Sequence, residues 1–255
     1  MPCPKIRVGD TFPASTRDDL SKVADSLRRV IDDVFGHRNP PLRLPIVCIS
    51  LSGNPRTSLD SWSAPTEILI HLSTEGRHYS QFAFQLAHEI GHVYAGVYRN
   101  NGAIETIAAA LSLEALGRLA RRWKVEPPHS GWIDYASNFQ EYRTNWEDSC
   151  IDKCPAEIRE AAAPHQWDAV MRQLGHHVLR NNTSEEGLIS DEGRALQTVA
   201  AMALLSKPLD WSQFIGIENC TAPGPDVSRE FMYSPFDREC IRAKAPSILW
   251  LAVPE

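Results

Sequence analysis

Residues 85–94 read QLAHEIGHVY, and the constraint they place on the fold is geometric. His88 and His92 stand four residues apart in a stretch, His78 to Arg99, that contains no proline. On an α-helix, positions i and i+4 share a face, so both imidazoles can reach one metal ion. Glu89 follows the first histidine and points off the ligand axis, toward a water that such a metal activates. Phe82, Leu86, Ile90, Val93 and Val97 recur at helical spacing as one apolar stripe. Gln85, His88, His92, Ala95 and Arg99 form a second, so the histidines face away from the main apolar seam. Gly91 costs the helix about 1 kcal/mol relative to alanine, and a small residue there lets a neighbouring element approach. The competing expectation is an ordinary buried helix whose histidines hydrogen-bond to backbone.

A hydrolytic zinc site has three protein ligands and one open position. After a break at Asn100-Asn101-Gly102-Ala103, a second helix is expected over Ile104–Trp123. Its first half is apolar almost all round, the mark of a buried helix. Glu105 is the exception, and burying a lone carboxylate is costly unless it is paired or metal-bound. Ala108, Ala109, Ala110 and Ser112 are small and suit close packing. Glu114 competes: nine residues on, it lies about 13 Å along the axis and on the opposite face. The small residues favour Glu105 as third ligand. Its other reading is a first-turn glutamate that suits the helix N-terminus.

His-Glu-x-x-His followed by a helix carrying a glutamate resembles the gluzincin arrangement of zinc metallopeptidases. Asn101-Gly102-Ala103-Ile104-Glu105 looks like the segment bearing the third ligand in thermolysin-like enzymes. The short interval is similar to the minimal gluzincins of the ImmA/IrrE type. The resemblance covers roughly residues 67–123. It implies one zinc ion held by His88, His92 and Glu105, with Glu89 as general base. The pattern departs in two places. Twelve residues separate His92 from Glu105, fewer than in the thermolysin group. That group also carries an acid four residues after the ligand glutamate to orient the first histidine, and here the position is Ala109.

Composition narrows the field. The 255 residues carry a net charge of −6 and no long basic tract, which argues against nucleic acid as partner. The cluster Arg118, Arg121, Arg122 and Lys124 reads as a solvated helix end. No run of about 18 apolar residues marks a membrane span. The N-terminal residues lack an apolar core of a signal peptide, so a cytoplasmic location is expected. Six cysteines are too sparse for a disulfide scaffold. Cys150 and Cys154, four apart, read as two reduced thiols.

Along the chain, an amphipathic helix is expected over Thr16–Phe35, ended by Gly36. Ile46–Leu51 and Glu67–Ser73 read as strands, with Gly53-Asn54-Pro55 as a turn. The second strand leads into the motif helix, either as a rail for an extended peptide at the sheet edge or as an internal core strand. His129, Tyr135, Tyr142, Arg143, Tyr94 and Tyr98 are candidates to stabilise an oxyanion. Helices are expected over Ala156–Ala163, His165–Arg180 and Asp191–Leu205, and a strand over Ser247–Leu251. His176 and His177 are adjacent, diverge on a helix, and read as surface residues. The expected architecture is α+β: a zincin-like core over residues 1–125 and a mainly helical extension over 126–255. The expected activity is hydrolysis of a peptide or protein substrate. The alternative is a catalytically silent zinc-binding regulatory or interaction domain.

Overall fold

Short β-branched runs alternate with helical stretches in the first half of the chain and build a four-stranded sheet of order β1-β2-β4-β3. The computed structural model describes residues 3–162, 164–180, 190–221 and 237–245. Strand β1 is Ile6–Val8, β2 is Ile46–Ser50, β3 is Arg56–Leu59 and β4 is Ile68–Leu72. The first three in sheet order run parallel, and β3 lies antiparallel to β4 at the edge. Helix α1 (Ala14–Val34) makes the crossover from β1 to β2, as parallel neighbours require. Its buried face of Leu20, Val23, Leu27, Val30 and Ile31 repeats every three or four residues. Gly36, at φ 58°, takes the left-handed conformation past its end.

In β4 the side chains alternate. Ile68, Ile70 and Leu72 are fully buried, while Leu69 and His71 are half-buried. Ile46 and Cys48 of β2 stand beside Ile68 and Ile70 and are fully buried with them. Strand β4 is therefore internal, between β2 and β3, and the rail reading of residues 67–73 gives way to the core-strand reading. Among the described residues the outer strands are β1 and, beside β4, β3, whose polar sequence Arg-Thr-Ser-Leu carries no strand pattern of its own.

The motif helix α2 spans Tyr79–Ala95 and α3 spans Gly102–Trp123. Then come a 3₁₀ turn at Ser130–Tyr135 and helices α4 (Ala136–Lys153), α5 (Ala156–Ala162), α6 (Trp167–Arg180), α7 (Asp191–Leu205) and α8 (Arg238–Lys244). The α+β expectation holds in this coarse form: a small sheet with mostly helical content. Among the described residues, no helix is long and apolar enough to cross a membrane. The strand expected over Ser247–Leu251 lies outside the described residues.

The chain divides into two compact units. One comprises Met1–Tyr94 and Leu111–Arg143, the other Ala95–Ala110 and Thr144–Glu255. Against the expected 1–125 and 126–255, residues 95–110 group with the C-terminal unit and residues 126–143 with the N-terminal one. Within the first unit, Trp123 is fully buried, donates its indole N–H to Ser26 (2.7 Å), and packs edge-on to Phe139 (4.7 Å). Trp132, Tyr135 and Tyr79 complete this aromatic group. Within the second, Ser190 caps α7 by accepting the Gly193 N–H, and Leu196, Val199, Ala200 and Ala203 are buried. Helix α6 starts at Trp167 rather than His165, because His165 takes φ 58°, outside the helical region.

The loop between β3 and β4 is organised by Asp60. Its carboxylate accepts the Thr66 hydroxyl and the N–H groups of Ser61, Thr66 and Glu67. These bonds, led by the Thr66 hydroxyl, lower its pKa from 3.8 to about 2. A folded value below the unfolded one means that the loop keeps this support in full above pH 3.8 and loses it as pH falls through about 2. Carboxyl NMR titration should place the Asp60 midpoint near 2; a midpoint at 3.8 would show an unbonded carboxylate.

Phe82 on α2 is fully buried. Phe82→Ala should destabilise the protein by about 3–5 kcal/mol in urea unfolding. Val125→Ser, at a residue 86% exposed, should change it by under about 0.5 kcal/mol.

Candidate metal centre

Burial fixes how α2 is turned. Phe82, Leu86, Ile90 and Val93 are all fully buried, and the opposite stripe of Gln85, His88 and His92 is half-buried. Gln85 anchors the helix one turn before His88. Its Oε1 accepts the Ser73 N–H (3.1 Å) and the Thr74 hydroxyl (3.0 Å), and its Nε2 donates to Ser73 Oγ (2.9 Å). The end of β4 and the start of the motif are thereby tied together.

The Nε2 atoms of His88 and His92 lie 3.3 Å apart. Two Zn–N bonds of about 2.0–2.1 Å meeting at the tetrahedral angle span about 3.3–3.4 Å between nitrogens. The pair therefore already has the separation of two tetrahedral ligands, a distance that also suits one N–H···N hydrogen bond. Glu105 supplies the third donor: ligand-capable atoms of His88, His92 and Glu105 all lie within 4.8 Å of one another. All three side chains are half-buried. Two imidazoles and a carboxylate fit a divalent ion of intermediate softness such as zinc, and among the described residues no other such group of three is present.

The turn that leads to Glu105 is built from polar groups. Gly96, at φ 130°, opens it in a conformation that L side chains avoid, and a methyl there would overlap the Glu218 carboxylate. Glu218 Oε2 accepts the N–H groups of Tyr98 (2.8 Å) and Arg99 (3.2 Å). Burial raises the Glu218 pKa, and those two N–H groups and the Arg99 charge oppose the rise. The Arg99 guanidinium donates to the Thr221 carbonyl (3.2 Å) and hydroxyl. Asn101 caps α3, its Oδ1 accepting the N–H groups of Ala103 and Ile104 (both 3.0 Å). Asn100 donates its amide to Glu105 Oε1. Ala108, Ala109, Ala110 and Ser112 on α3 are all buried. Glu114 is engaged elsewhere, in a 2.6 Å ion pair with Arg118, so the first-turn glutamate meets the histidines.

Glu89 is only 3% exposed. Its Oε2 accepts the Thr57 hydroxyl at 2.8 Å, and its peptide oxygen lies 3.2 Å from the same hydroxyl. Thr57 stands in β3, so the edge strand reaches the carboxylate beside the ligand pair. Ala109, where a supporting acid would stand, is buried and apolar.

Three of the six oxyanion candidates are committed to structure. Tyr94 is buried, stacks on Phe35 (3.8 Å), and donates to the Arg38 carbonyl (3.2 Å); burial drives its pKa far upward. Tyr135 accepts the Ser80 N–H (3.2 Å) within the aromatic group. His129 Nδ1 accepts the Gly131 N–H (3.1 Å) and caps the 3₁₀ turn. Tyr98 is 43% exposed in the turn after α2. Tyr142 packs on Phe84 (5.7 Å), and the Arg143 guanidinium lies beside Gly117. His176 and His177 fall within α6.

The cysteines are of two kinds. Cys220 and Cys240 form a disulfide joining the turn Ile217–Cys220 to α8. The sequence shows no such link, because the partners stand twenty positions apart with no motif to pair them. Cys150 and Cys154 are free and buried. Burial raises the Cys150 thiol and pushes Cys154 up to about 12, as for two reduced thiols in an apolar setting.

No protein-family model, curated protein or solved structure matches the chain. The donor assignment is open to direct measurement. Glu105→Gln should weaken Zn²⁺ or Co²⁺ binding by at least about tenfold in a chelator-competition titration. Glu114→Gln should leave affinity within about twofold, since it only breaks a partly exposed ion pair. Equal losses in both variants would refute Glu105 as the ligand.

Proposed function

We propose that the protein is a zinc-dependent metallopeptidase of gluzincin type, with a zincin-like core built on the sheet, α2 and α3. One observation carries the reading: the two Nε2 atoms stand at the tetrahedral chord of 3.3 Å, with a carboxylate in the same donor group. His88, His92 and Glu105 would hold one Zn²⁺ ion. When bound, zinc polarises the scissile carbonyl and makes water a nucleophile near neutral pH.

Glu89 supplies the proton chemistry. Its carboxylate takes a proton from the attacking water as oxygen adds to the peptide carbonyl carbon. The same proton then passes to the amide nitrogen, the C–N bond breaks, and an amine and a carboxylic acid leave, the acid keeping the second proton of the water until it ionises. Burial of Glu89 keeps bulk water from competing for its lone pairs. The substrate is an extended peptide or protein segment, because among the described residues β3 lies at an edge of the sheet and extended chain adds to such edges by backbone hydrogen bonds. The net charge of −6 favours peptide over nucleic acid. Disulfides like Cys220–Cys240 persist in oxidising compartments, which weighs against a cytoplasmic site.

A second reading, a silent zinc-stabilised interaction domain, is favoured by Ala109, a buried apolar residue where the resembled arrangement has an acid. Glu89→Gln separates the two. The variant should retain about one zinc per chain and lose at least about a hundredfold in cleavage of a denatured proteome. Unchanged cleavage would exclude Glu89 as the base, and a wild-type protein that binds zinc but cuts nothing would favour the silent domain.

A further inference from the structure

The edge strand and the proposed base are joined by one hydrogen bond. Thr57 pairs with Ile70 across β3 and β4, and Ile70 is fully buried. Opposed residues of an antiparallel pair share a face, so the Thr57 side chain lies on the side of the sheet that carries α2. Its neighbours Arg56 and Ser58 alternate to the other side, where Ser58 Oγ meets His71 Nε2 at 3.0 Å. Thr57 has one hydroxyl proton and two acceptors in reach, both belonging to Glu89. The peptide oxygen of Glu89 sits mid-helix, where the N–H four residues on already bonds it. The nearer carboxylate oxygen, at 2.8 Å, is therefore the partner that needs the proton.

We propose that Thr57 is the positioning residue of the Glu89 base, through which β3 sets the carboxylate for proton transfer. The inference rests on the peptidase reading and deepens it. By engaging Oε2 at 2.8 Å, Thr57 fixes the plane in which the carboxylate is presented to the attacking water. A carboxylate 3% exposed has little solvent to hold its orientation, and a fixed donor takes over that role. Because Thr57 belongs to the edge strand, a peptide that adds to β3 lies against the strand that aims the base. Docking and proton transfer thus share one structural element, and loss of the hydroxyl should act on the chemical step rather than on binding.

The test uses full-length, zinc-loaded protein and the best-cut member of a proteome-derived peptide library. Thr57→Val keeps the shape and strand propensity of the residue and removes the hydroxyl; Thr57→Ser restores it. Thr57→Val should lower kcat by about ten- to a hundredfold, with KM, zinc content and unfolding midpoint close to wild type. Thr57→Ser should recover kcat to within about threefold. Wild-type kcat in Thr57→Val would overturn the role of Thr57 while leaving the peptidase reading intact. Equal losses in Val and Ser variants, or losses that track zinc content or stability, would also overturn it, since they mark a structural residue. A wild-type protein that leaves the whole library uncut would overturn the peptidase reading and this inference together.

Discussion

The rotation of α2 about its own axis is the constraint on which the site depends. Phe82, Leu86, Ile90 and Val93 are fully buried, and turning the helix by one residue would expose part of that seam. Each such side chain contributes roughly 1.5–3 kcal/mol by burial, more than any single hydrogen bond at the site. His88 and His92 follow passively, because their positions on the helix are fixed relative to the seam. The 3.3 Å between their Nε2 atoms is thus bought by hydrophobic packing on the opposite side of the helix.

Glu105 is held by different means. Its turn is irregular, so no periodic seam can position it, and polar bonds take over. Glu218 gathers the N–H groups of Tyr98 and Arg99, Asn101 caps α3, and Asn100 bonds Glu105 itself. Gly96 is required because both its backbone angle and the nearby Glu218 carboxylate exclude a side chain. The Cys220–Cys240 disulfide anchors the same short turn that carries Glu218. Bringing two imidazoles and a carboxylate together gains little without a cation. Such local conflict is a common mark of functional sites.

What could be read from the sequence follows the same division. Helices α1, α2, α3 and α7 and strands β2 and β4 announce themselves by periodicity, since burial of one face writes a repeat into the chain. Residues 191–205 match their expected bounds. Strand β1 has three residues, too few for a period, and β3 is polar because it lies at an edge. Without β3, the sequence left β4 open as either an edge or an internal strand, and Thr57 had no mark until its hydroxyl is seen against Glu89. Glu218 was invisible for a related reason: it lies over a hundred residues from the turn it supports, in a 3₁₀ segment without pattern. The two histidines and both candidate glutamates were legible because helical spacing is local. The choice between Glu105 and Glu114 needed the Arg118 ion pair and the shared donor group.

Ala109 sharpens how this site differs from the arrangement it resembles. An acid on α3 would hold the first histidine from the helix that carries the third ligand. Here that face of α3 is alanine and serine, packed without polar groups large enough to reach across. Polar support arrives instead from Asn100 on Glu105 and from Thr57 on Glu89. Neither residue belongs to a helix: one sits in a turn held by Glu218, the other in the edge strand. Support from such elements responds to whatever occupies them, because an edge strand gains order when a further strand pairs with it. A site braced through α3 would be equally aligned with or without peptide on the sheet. On the proposed peptidase reading, bracing through β3 would give a peptide paired with that strand a physical route to Glu89, since the strand carries the hydroxyl that holds the carboxylate.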